Sequence, residues 1–438
     1  MTASPLACGV WSWFDTLASE GYFEQLLKQR GLRMRKRVYW VSVVFWLMIY
    51  QRLHADASLQ AAVLALPARW KGRVGRVSAA TGAYCQARRR LPTLVAEQVS
   101  DDIFATLRSH APRAADRPVF LVDGTTLRLE HEPDLVKAFP PGRNDLGDNR
   151  WPVLLLVAFH DAHSGLAARP SWGPMYGAHA VSEQRLAAEA LDRLPPEARV
   201  VADANFGIFA FAHAVVRSGR QGLFRLTEVR ARKILGQLPK KSTHRAVVWT
   251  PSAYERAQHP DLPADAELRG WVLTCAHPGK QGQKLYLFST EQRACKQALA
   301  LYKLRWNIET DLRNLKRTVN LHQIRSHSPA LVEKELLVAV TAYNLVRAVM
   351  FRAAQFSSRT PRQMSFAHTQ AAVWAALPGL EQAASPRQRE RRMRALVELA
   401  AQLALPKRKR KRRAYPRQVW KRGGSLPIRR VHAPESSQ

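Results

Sequence analysis

The chain has 438 residues, of which 68 are Lys or Arg and 34 are Asp or Glu, so its formal net charge is +34. With 46% apolar residues and only 22 Gly and 26 Pro, it can bury a core, which excludes a disordered or fibrous protein. A protein this basic is expected to bind a polyanion, because each phosphate that it neutralises releases counterions. The composition therefore indicates nucleic acid as the partner, and the length indicates two or three folded units.

Cysteine spacing and apolar runs bear on the cellular compartment. Cys8, Cys85, Cys275 and Cys295 are scattered, with neither a C-x-x-C pair nor a His at zinc spacing, so reduced thiols are expected. The longest apolar run, residues 38–50, is shorter than the roughly 20 residues of a membrane span and predicts a buried helix. No secretory signal is evident. We expect a cytoplasmic protein without a membrane partner.

Residues 1–115 have a helical apolar pattern that clusters of basic residues interrupt. One cluster consists of Lys28, Arg30, Arg33, Arg35, Lys36 and Arg37, of which the last four are the candidate DNA contacts. A second consists of Arg69, Lys71, Arg73, Arg76, Arg88, Arg89 and Arg90, with Trp70 and Tyr84 among them. The pattern predicts a helical DNA-binding domain, and the alternative is an ordinary helical domain with a solvated basic face.

Residues 116–229 alternate between short apolar runs and amphipathic segments, which is typical of a mixed sheet with helices packed on it. Ser182 is the predicted N-cap of the first of these helices. The predicted strands are 119–122, 153–159, 166–171, 200–202 and 223–226, and the predicted helices are 182–194 and 208–217.

The rest of the chain divides into three parts. Residues 230–290 contain β-branched pieces separated by turn residues and predict a β-rich insertion. Residues 291–355 return to long helical patterns. Residues 356–438 are polar and basic and include seven consecutive cations at 407–413, which predicts a partly disordered arm that contacts DNA or a second subunit.

Two of the predicted strands lead into aspartates. Asp123 follows Phe120-Leu121-Val122, and Asp203 follows Val200-Val201-Ala202. Carboxylates at the carboxyl ends of buried strands lie where such a sheet opens to solvent, which is the usual place for a site. The alternatives are that Asp123-Gly124 forms a turn and that Asp203 caps a helix.

A third group of polar residues lies in the helical pattern of residues 291–316. At about 100° per residue, Tyr302, Arg305, Glu309 and Lys316 share one helix face. Trp306 and Arg313 lie within about 40° of that face. A core helix does not carry such charges, and the alternative is a surface helix in which Glu309 pairs with Arg313.

Together these residues resemble the DDE transposases of bacterial insertion sequences that carry the Y-R-E-K signature. The chain has Asp-Gly-Thr at Asp123, a strand that ends at Asp203, and Y-x2-R-x3-E-x6-K from Tyr302 to Lys316, with the frequent R-W-x-I-E core. The separations of 203 − 123 = 80 and 309 − 203 = 106 residues also suit the family. The resemblance covers roughly residues 119–352.

The resemblance implies an α/β fold, namely a ribonuclease-H-like mixed sheet with flanking helices, interrupted by a β-rich insertion and preceded by an all-helical N-terminal domain. It implies that Asp123, Asp203 and Glu309 are catalytic and hold two Mg²⁺ ions, for which Mn²⁺ can substitute. Carboxylates are the ligands that these ions prefer.

The resemblance also implies DNA contacts outside the acids. Tyr302, Arg305 and Lys316 are expected to contact phosphates, and Arg313 lies beside them. Aromatic side chains that could stack on an extruded base are Trp306 on the helix and Trp271 and Tyr286 on the insertion strands. For Trp271 and Tyr286, cross-strand packing is the alternative.

We therefore expect a transposase that binds the terminal inverted repeats of its element, cuts the DNA and joins the ends to a target. It should act as a homodimer assembled on DNA and associate with the bacterial nucleoid. No P-loop or dinucleotide fingerprint occurs, so no nucleotide cofactor is expected. The alternatives are a metal-dependent nuclease of the same fold that joins no ends, and a transposase-derived repressor that has lost catalysis.

Overall fold

The computed structural model describes residues 19–54, 58–69, 78–111, 117–144, 147–277 and 282–405. The described chain as far as Ala404 belongs to one compact unit. The cationic run at 407–413 lies outside these ranges, as do Trp70, Lys71, Arg73 and Arg76 of the second basic cluster.

The described N-terminal region is helical. Ser19 caps the first helix by accepting a hydrogen bond from the Tyr22 amide at 3.1 Å. The second helix is apolar on all sides and is buried almost throughout, as the apolar run at 38–50 predicts. The helices are α1 (Glu20–Gln29), α2 (Val41–Leu53), α3 (Leu59–Arg69), α4 (Gly82–Arg90) and α5 (Thr93–His110).

The centre of the molecule is an eight-stranded mixed sheet with the order β5-β4-β1-β6-β7-β10-β9-β8. β1 pairs antiparallel with β4 and parallel with β6, and β6 pairs parallel with β7. The strands are β1 (Val119–Arg128), β4 (Val153–Asp161), β5 (Ser171–Pro174), β6 (Arg199–Ala202), β7 (Gln221–Leu226), β8 (Thr243–Trp249), β9 (Leu268–Ala276) and β10 (Lys284–Ser289), and a separate short hairpin contains β2 (Arg143–Asn144) and β3 (Gly147–Asp148).

The strand-rich stretch at residues 230–290 extends this same sheet. β10 pairs antiparallel with β7, and β9 and β8 follow outward. The residues between β7 and the helices that follow β10 therefore continue the central hydrogen-bonding ladder. Because the ladder is continuous, residues on these strands can be assigned to one or the other face of the whole sheet.

Helices cover the sheet and join it to the N-terminal region. The helices that precede β10 in this part of the chain are α6 (Pro133–Ala138), α7 (Glu183–Ala190), α8 (Phe209–Arg217), α9 (Glu228–Leu235) and α10 (Ala253–Gln258). Those after β10 are α11 (Cys295–Lys303), α12 (Trp306–Arg313) with a π-helical turn at Asn314–Thr318, and α13 (Pro329–Ala354). α13 is long and apolar enough to cross a membrane, but its apolar window is completely buried inside the protein.

The helical pattern of 291–316 is interrupted between α11 and α12. Around Leu304 and Arg305 the amides bond to carbonyls three residues back, as in Arg305 N to Tyr302 O at 3.1 Å. This tighter turn makes the one-face geometry of an ideal α-helix only approximate here.

Part of the region predicted as a basic arm is folded. α14 (Phe366–Glu381) and α15 (Pro386–Gln402) follow α13, and Ser385 caps α15 by accepting from the Gln388 amide at 3.2 Å. Buried Met393, Leu396 and Val397 explain why this basic segment forms a helix. The strand order and the helices confirm the predicted α/β, ribonuclease-H-like class.

Candidate active site

Asp123 and Asp203 lie side by side on neighbouring parallel strands. Val119 of β1 is paired with Arg199 of β6, an offset of 80 residues, and the two aspartates are separated by the same 80 residues. Asp203 follows the last residue of β6 directly, as predicted. The register therefore brings both carboxylates to the same level and the same face.

The expectation that β1 ends at Asp123 is wrong. The strand continues to Arg128, because its other edge remains paired with β4, where Asp123 lies opposite Ala158. Only the parallel pairing with β6 stops, at Leu121. Asp123-Gly124 is therefore not a turn, and the site opens where the β6 edge of β1 becomes free.

Burial controls the protonation of Asp123. Removal from water raises its pKa to about 6, although the Gly124 amide donates to its Oδ1 at 2.9 Å and lowers it. The negative charges of Asp203 and then Glu183 contribute to the same increase. Asp203 Oδ1 accepts from the Asn205 amide at 2.9 Å. The site thus concentrates negative charge in a partly desolvated place.

Glu183 is a residue of this site that the sequence indicates only as the first-turn acid of a helix. It is the first residue of α7, after the N-cap Ser182, which explains a first-turn acid by itself. Its side chain nevertheless lies against Gly124 and accepts a hydrogen bond from Asn205 Nδ2. Burial and then the charge of Asp203 raise its pKa. The sequence signal for this contact is Gly124, because a residue without a side chain leaves room for the side chain of Glu183.

Glu309 lies on α12 and is paired with the residue that precedes that helix. Arg305 Nη2 donates to Glu309 Oε1 at 3.0 Å, and the carboxylate side chain is 45% exposed. The Arg305 guanidinium is buried, lies 4.4 Å from the centre of the Trp306 ring and interacts electrostatically with Asp123. Arg305 is therefore the cation that interacts both with Glu309 on α12, the signature helix, and with Asp123 on β1.

The other signature residues divide between interior and surface. Tyr302 is buried and shares a hydrogen bond with the Arg225 side chain of β7. Lys316 Nζ donates to Thr126 O at 2.6 Å and approaches Thr125 Oγ1 at 3.4 Å, close to Asp123 on the same strand. Arg313 is exposed, and Trp306 is 60% exposed.

Trp271 and Tyr286 lie on opposite faces of the sheet. Trp271 is directly opposite Ser289 on β10, so the odd-numbered residues of β10 share its face and Tyr286 does not. Following the pairing through β7 and β6 assigns Trp271 to the face of Asp203. Three strand spacings separate them, about 14 Å. Tyr286 is buried on the other face, near Glu228 of α9, which favours packing.

The first N-terminal basic cluster is exposed but lies between helices. Arg33, Arg35 and Arg37 are in the connection from α1 to α2 and, with Arg90 of α4, line a groove of about 380 Å³. Lys36 instead forms ion pairs with Glu20 and Glu24 of α1. The cluster therefore offers three arginines to a ligand.

The prediction that Tyr84 and Arg88 belong to an exposed basic cluster is wrong. Tyr84 is completely buried, and Arg88 forms a buried ion pair with Glu335 of α13. Arg52 of α2 pairs with the other oxygen of Glu335 and also donates to Asn320 O at 2.9 Å. A pair formed across 247 residues has no local signature in the sequence.

His160 belongs to the protein interior rather than to the group of acids. His160 is fully buried, and burial lowers its pKa to about 4. Within the described ranges, no three His, Cys, Asp or Glu side chains are gathered closely enough to hold an ion.

Known proteins are similar to this chain over the region that contains these site residues. A family model described as "Transposase DDE domain" matches residues 114–345, just over half of the chain, and this range includes all three predicted acids. The transposase InsG for insertion sequence element IS4 of Escherichia coli (strain K12) is 26% identical over 433 residues, 97% of this chain and 94% of that protein.

One solved structure aligns with most of the chain. It is described as a cryo-EM structure of the piggyBac transposase synaptic complex with hairpin DNA. The TM-score is 0.43 at 9% identity, and the alignment covers 92% of this chain and 87% of the other.

Proposed function

Because the chain belongs to the transposase DDE-domain family of bacterial insertion sequences, we propose that it cuts DNA at the ends of its element and joins them to a target. The observation that supports this most directly is the β1–β6 register, which aligns Asp123 with Asp203. The signature helix with Glu309 packs over the same region, since α12 contacts β1.

Asp123, Asp203 and Glu309 would hold the divalent cations. Three carboxylates supply the hard oxygen donors that Mg²⁺ and Mn²⁺ prefer, and no sulfur or imidazole donor competes among them. When bound, two such ions would activate the attacking oxygen and stabilise the leaving oxygen of a phosphodiester. The raised pKa of Asp123, which burial causes first and the charges of Asp203 and Glu183 increase, fits a site that a bound cation would stabilise.

Arg305 would exchange partners when DNA binds. Its guanidinium now pairs with Glu309, so release of that carboxylate toward the strand acids frees Arg305 for a phosphate. Lys316 is held against the backbone of β1 and would position a phosphate beside Asp123. Arg313 is exposed and would contact DNA farther from the reacting bond.

Tyr302 would act from a buried position beneath the protein surface that we propose binds DNA. Its buried ring and its contact with Arg225 connect the signature to β7, which supports a positioning role in addition to the proposed phosphate contact. The exposed Trp306 would stack on an unpaired base, as aromatic rings do at about 1–3 kcal/mol per base.

The proposed partners are double-stranded DNA and a second copy of the chain. The net charge of +34 and the arginine-lined groove at Arg33, Arg35 and Arg37 support phosphate binding. We place recognition of the terminal inverted repeats in the N-terminal helices and expect a homodimer on DNA. The protein would act at the bacterial nucleoid.

The test uses the purified protein and DNA fragments that carry the sequences flanking its coding frame, where terminal inverted repeats are expected. With Mg²⁺ we expect nicks at the repeat ends and, with target DNA present, joined products on denaturing gels. Asp203→Asn and Glu309→Gln should remove cleavage and leave end binding largely intact, because binding depends on cations elsewhere. Cleavage without joined products would indicate a nuclease, and binding without cleavage a repressor.

A further inference from the structure

Glu183 is placed so that its carboxylate lies over the backbone of β1, beside Asp123. A methyl group added at Gly124 would lie 2.5 Å from Glu183 Cδ and 2.8 Å from Cγ. Both distances are shorter than real carbon contacts, so the absent side chain of Gly124 is what admits Glu183. The acid thus occupies a position that β1 leaves open next to the catalytic aspartate.

A hydrogen-bonded asparagine joins Glu183 to the second aspartate. The side-chain Nδ2 of Asn205 donates to Glu183 Oε2, and the backbone N–H of Asn205 donates to Asp203 Oδ1 at 2.9 Å. Gln184 Nε2 in turn donates to Asn205 O at 2.9 Å and to Asn205 Oδ1 at 3.0 Å. Both Gln184 and Asn205 therefore fix the start of α7 to the turn that presents Asp203.

The remaining oxygen of Glu183 has no such partner. Oε1 is the atom nearest to Gly124, and it accepts no hydrogen bond from the described residues. Of the described side chains, none forms a salt bridge with Asp123, Asp203 or Glu183, although the chain has twice as many cationic as acidic residues. Three neighbouring acids without an ion-pair partner are unusual in so basic a protein.

A first-turn acid at the N-terminus of α7 does not require this arrangement. Interaction with a helix dipole needs a negative charge near the first turn, and an exposed side chain provides it. It requires neither a glycine on the facing strand nor a bridge through Asn205. The direction of the Glu183 side chain, into the aspartate pair, is therefore explained by the site.

We propose that Glu183 is a fourth carboxylate of the active site and binds a divalent cation together with Asp123 and Asp203. This inference rests on the proposed function, because it requires that the aspartates hold a metal. In this arrangement Glu183 would complete the cation site on the strand side, while Glu309 on α12 completes it from the helix side.

The test measures Mn²⁺ binding directly, by electron paramagnetic resonance of the free ion in solutions of the full-length protein. Glu183→Gln should weaken Mn²⁺ binding by at least about tenfold, since it removes a ligand without changing the size of the side chain. Glu189→Gln is the matched control, because Glu189 lies on the same helix, is exposed and pairs with Arg185. It should bind Mn²⁺ as the wild type does.

Gly124→Ala is a second, independent variant. It keeps every carboxylate but displaces the flexible end of Glu183, so it should also weaken Mn²⁺ binding while the thermal melt remains close to that of the wild type. If Glu183→Gln fails to fold, this variant decides the question.

The outcomes separate the two proposals. Wild-type Mn²⁺ affinity in both Glu183→Gln and Gly124→Ala, together with weakened binding in Asp203→Asn, would overturn the role of Glu183 and leave the proposed function intact. Wild-type affinity in Asp123→Asn and Asp203→Asn would overturn the metal assignment and this inference with it.

Discussion

At the scale of single residues, the site is defined by charge that the protein leaves uncompensated. Asp123 is mostly buried and faces Asp203 and Glu183, and its pKa of about 6 means that ionisation is unfavourable in the folded protein. A carboxyl whose pKa is raised on folding contributes stability below its unfolded pKa, and that contribution disappears as the pH rises through the folded value. The buried carboxylate of Asp123 is therefore destabilising at neutral pH in the metal-free protein.

Asp123→Asn should raise the melting temperature of the metal-free protein at pH 7.5. The free energy of unfolding is expected to rise by about 1–3 kcal/mol, since a shift of one pKa unit corresponds to about 1.4 kcal/mol. At pH 4 the two melts should coincide, because Asp123 is then protonated in the wild type. Calorimetry across this pH range measures the difference.

The control for this prediction is Asp192→Asn, since the Asp192 side chain is 95% exposed. It should show no pH-dependent difference. Added Mg²⁺ should stabilise the wild type and leave Asp123→Asn unchanged, because binding to the folded state alone raises stability. An Asp123→Asn variant that is less stable at pH 7.5 would contradict the assignment of uncompensated charge.

The two insertion aromatics should respond differently to substitution. If the second strand is cut through a hairpin, Trp271→Ala and Trp306→Ala should slow that step on pre-nicked ends while first-strand nicking stays near normal, because an aromatic ring can stack on the base that a hairpin extrudes. Trp271 shares the sheet face of Asp203, and Trp306 is 60% exposed. Tyr286→Ala should instead lower stability by about 3–5 kcal/mol, as expected for a buried aromatic ring.

Tyr286→Phe is the matched control for Tyr286→Ala, since it keeps the ring. Single-turnover assays of each cleavage step, with melts of the same proteins, distinguish stacking from packing. Selective loss of the second step in Tyr286→Ala at unchanged stability would reverse this assignment.

At the scale of elements, the signature helix is held by a buried ion cluster on the side away from Glu309. Asp311 Oδ1 accepts from Arg347 Nη2 of α13 and from Arg362 Nη1, each at 2.5 Å. Arg362 also donates to Asp161 O at 2.7 Å, at the end of β4. Burial by itself would raise the pKa of Asp311, and the two guanidinium groups lower it below its usual range. The helix is therefore tied to both α13 and the sheet.

Asp311→Ala should destabilise the protein by about 3–5 kcal/mol, because it leaves two buried arginines without their shared carboxylate. Glu309→Gln, only two residues away, should change the stability little, since Glu309 is half exposed and forms a single i,i+4 pair. Urea denaturation of both variants tests the contrast. Equal stability of the two variants would show that the cluster does not hold the helix.

The sequence predicts elements that depend on local patterns better than contacts that depend on distant partners. The strand before Asp203 and the fully apolar helix α2 follow from runs of apolar residues. The continuation of β1 beyond Asp123 does not, because its pairing with β4 decides it. Glu183 was missed because a first-turn acid already has a sufficient local explanation.

The same limit applies to charged residues in the interior. Arg88 is part of a basic cluster in the sequence, and only its pairing with Glu335 buries it. Arg347 and Asp311 are likewise buried through each other. Composition gives the number of cations in the chain, whereas the fold decides which of them remain exposed.

At the scale of the whole molecule, the surplus of positive charge is distributed between folded surfaces and the C-terminal end of the sequence. The arginine-lined groove at Arg33, Arg35 and Arg37 lies on the folded part. The seven consecutive cations at 407–413 lie beyond α15. The arginines of the groove would suit specific end binding, whereas the run of cations would suit general attraction to phosphates.

Deleting residues 407–413 should leave the melting temperature almost unchanged and weaken non-specific DNA binding. The slope of log K against log salt should become shallower by up to about 0.9 for each phosphate that the protein no longer neutralises. Replacing Arg33, Arg35 and Arg37 with Ser should reduce the preference for end DNA over random DNA. An unchanged salt slope after the deletion would show that the run does not touch DNA.

The buried triad of Arg52, Glu335 and Arg88 has a consequence for how such an enzyme can change its target over time. Two of its members lie in the N-terminal helices, and the third lies on the long central helix α13. Grafting foreign N-terminal helices that lack both arginines would leave Glu335 buried without its cationic partners, at a cost of about 3–5 kcal/mol. New end specificity is therefore expected to arise by point substitution on exposed residues rather than by exchange of whole modules.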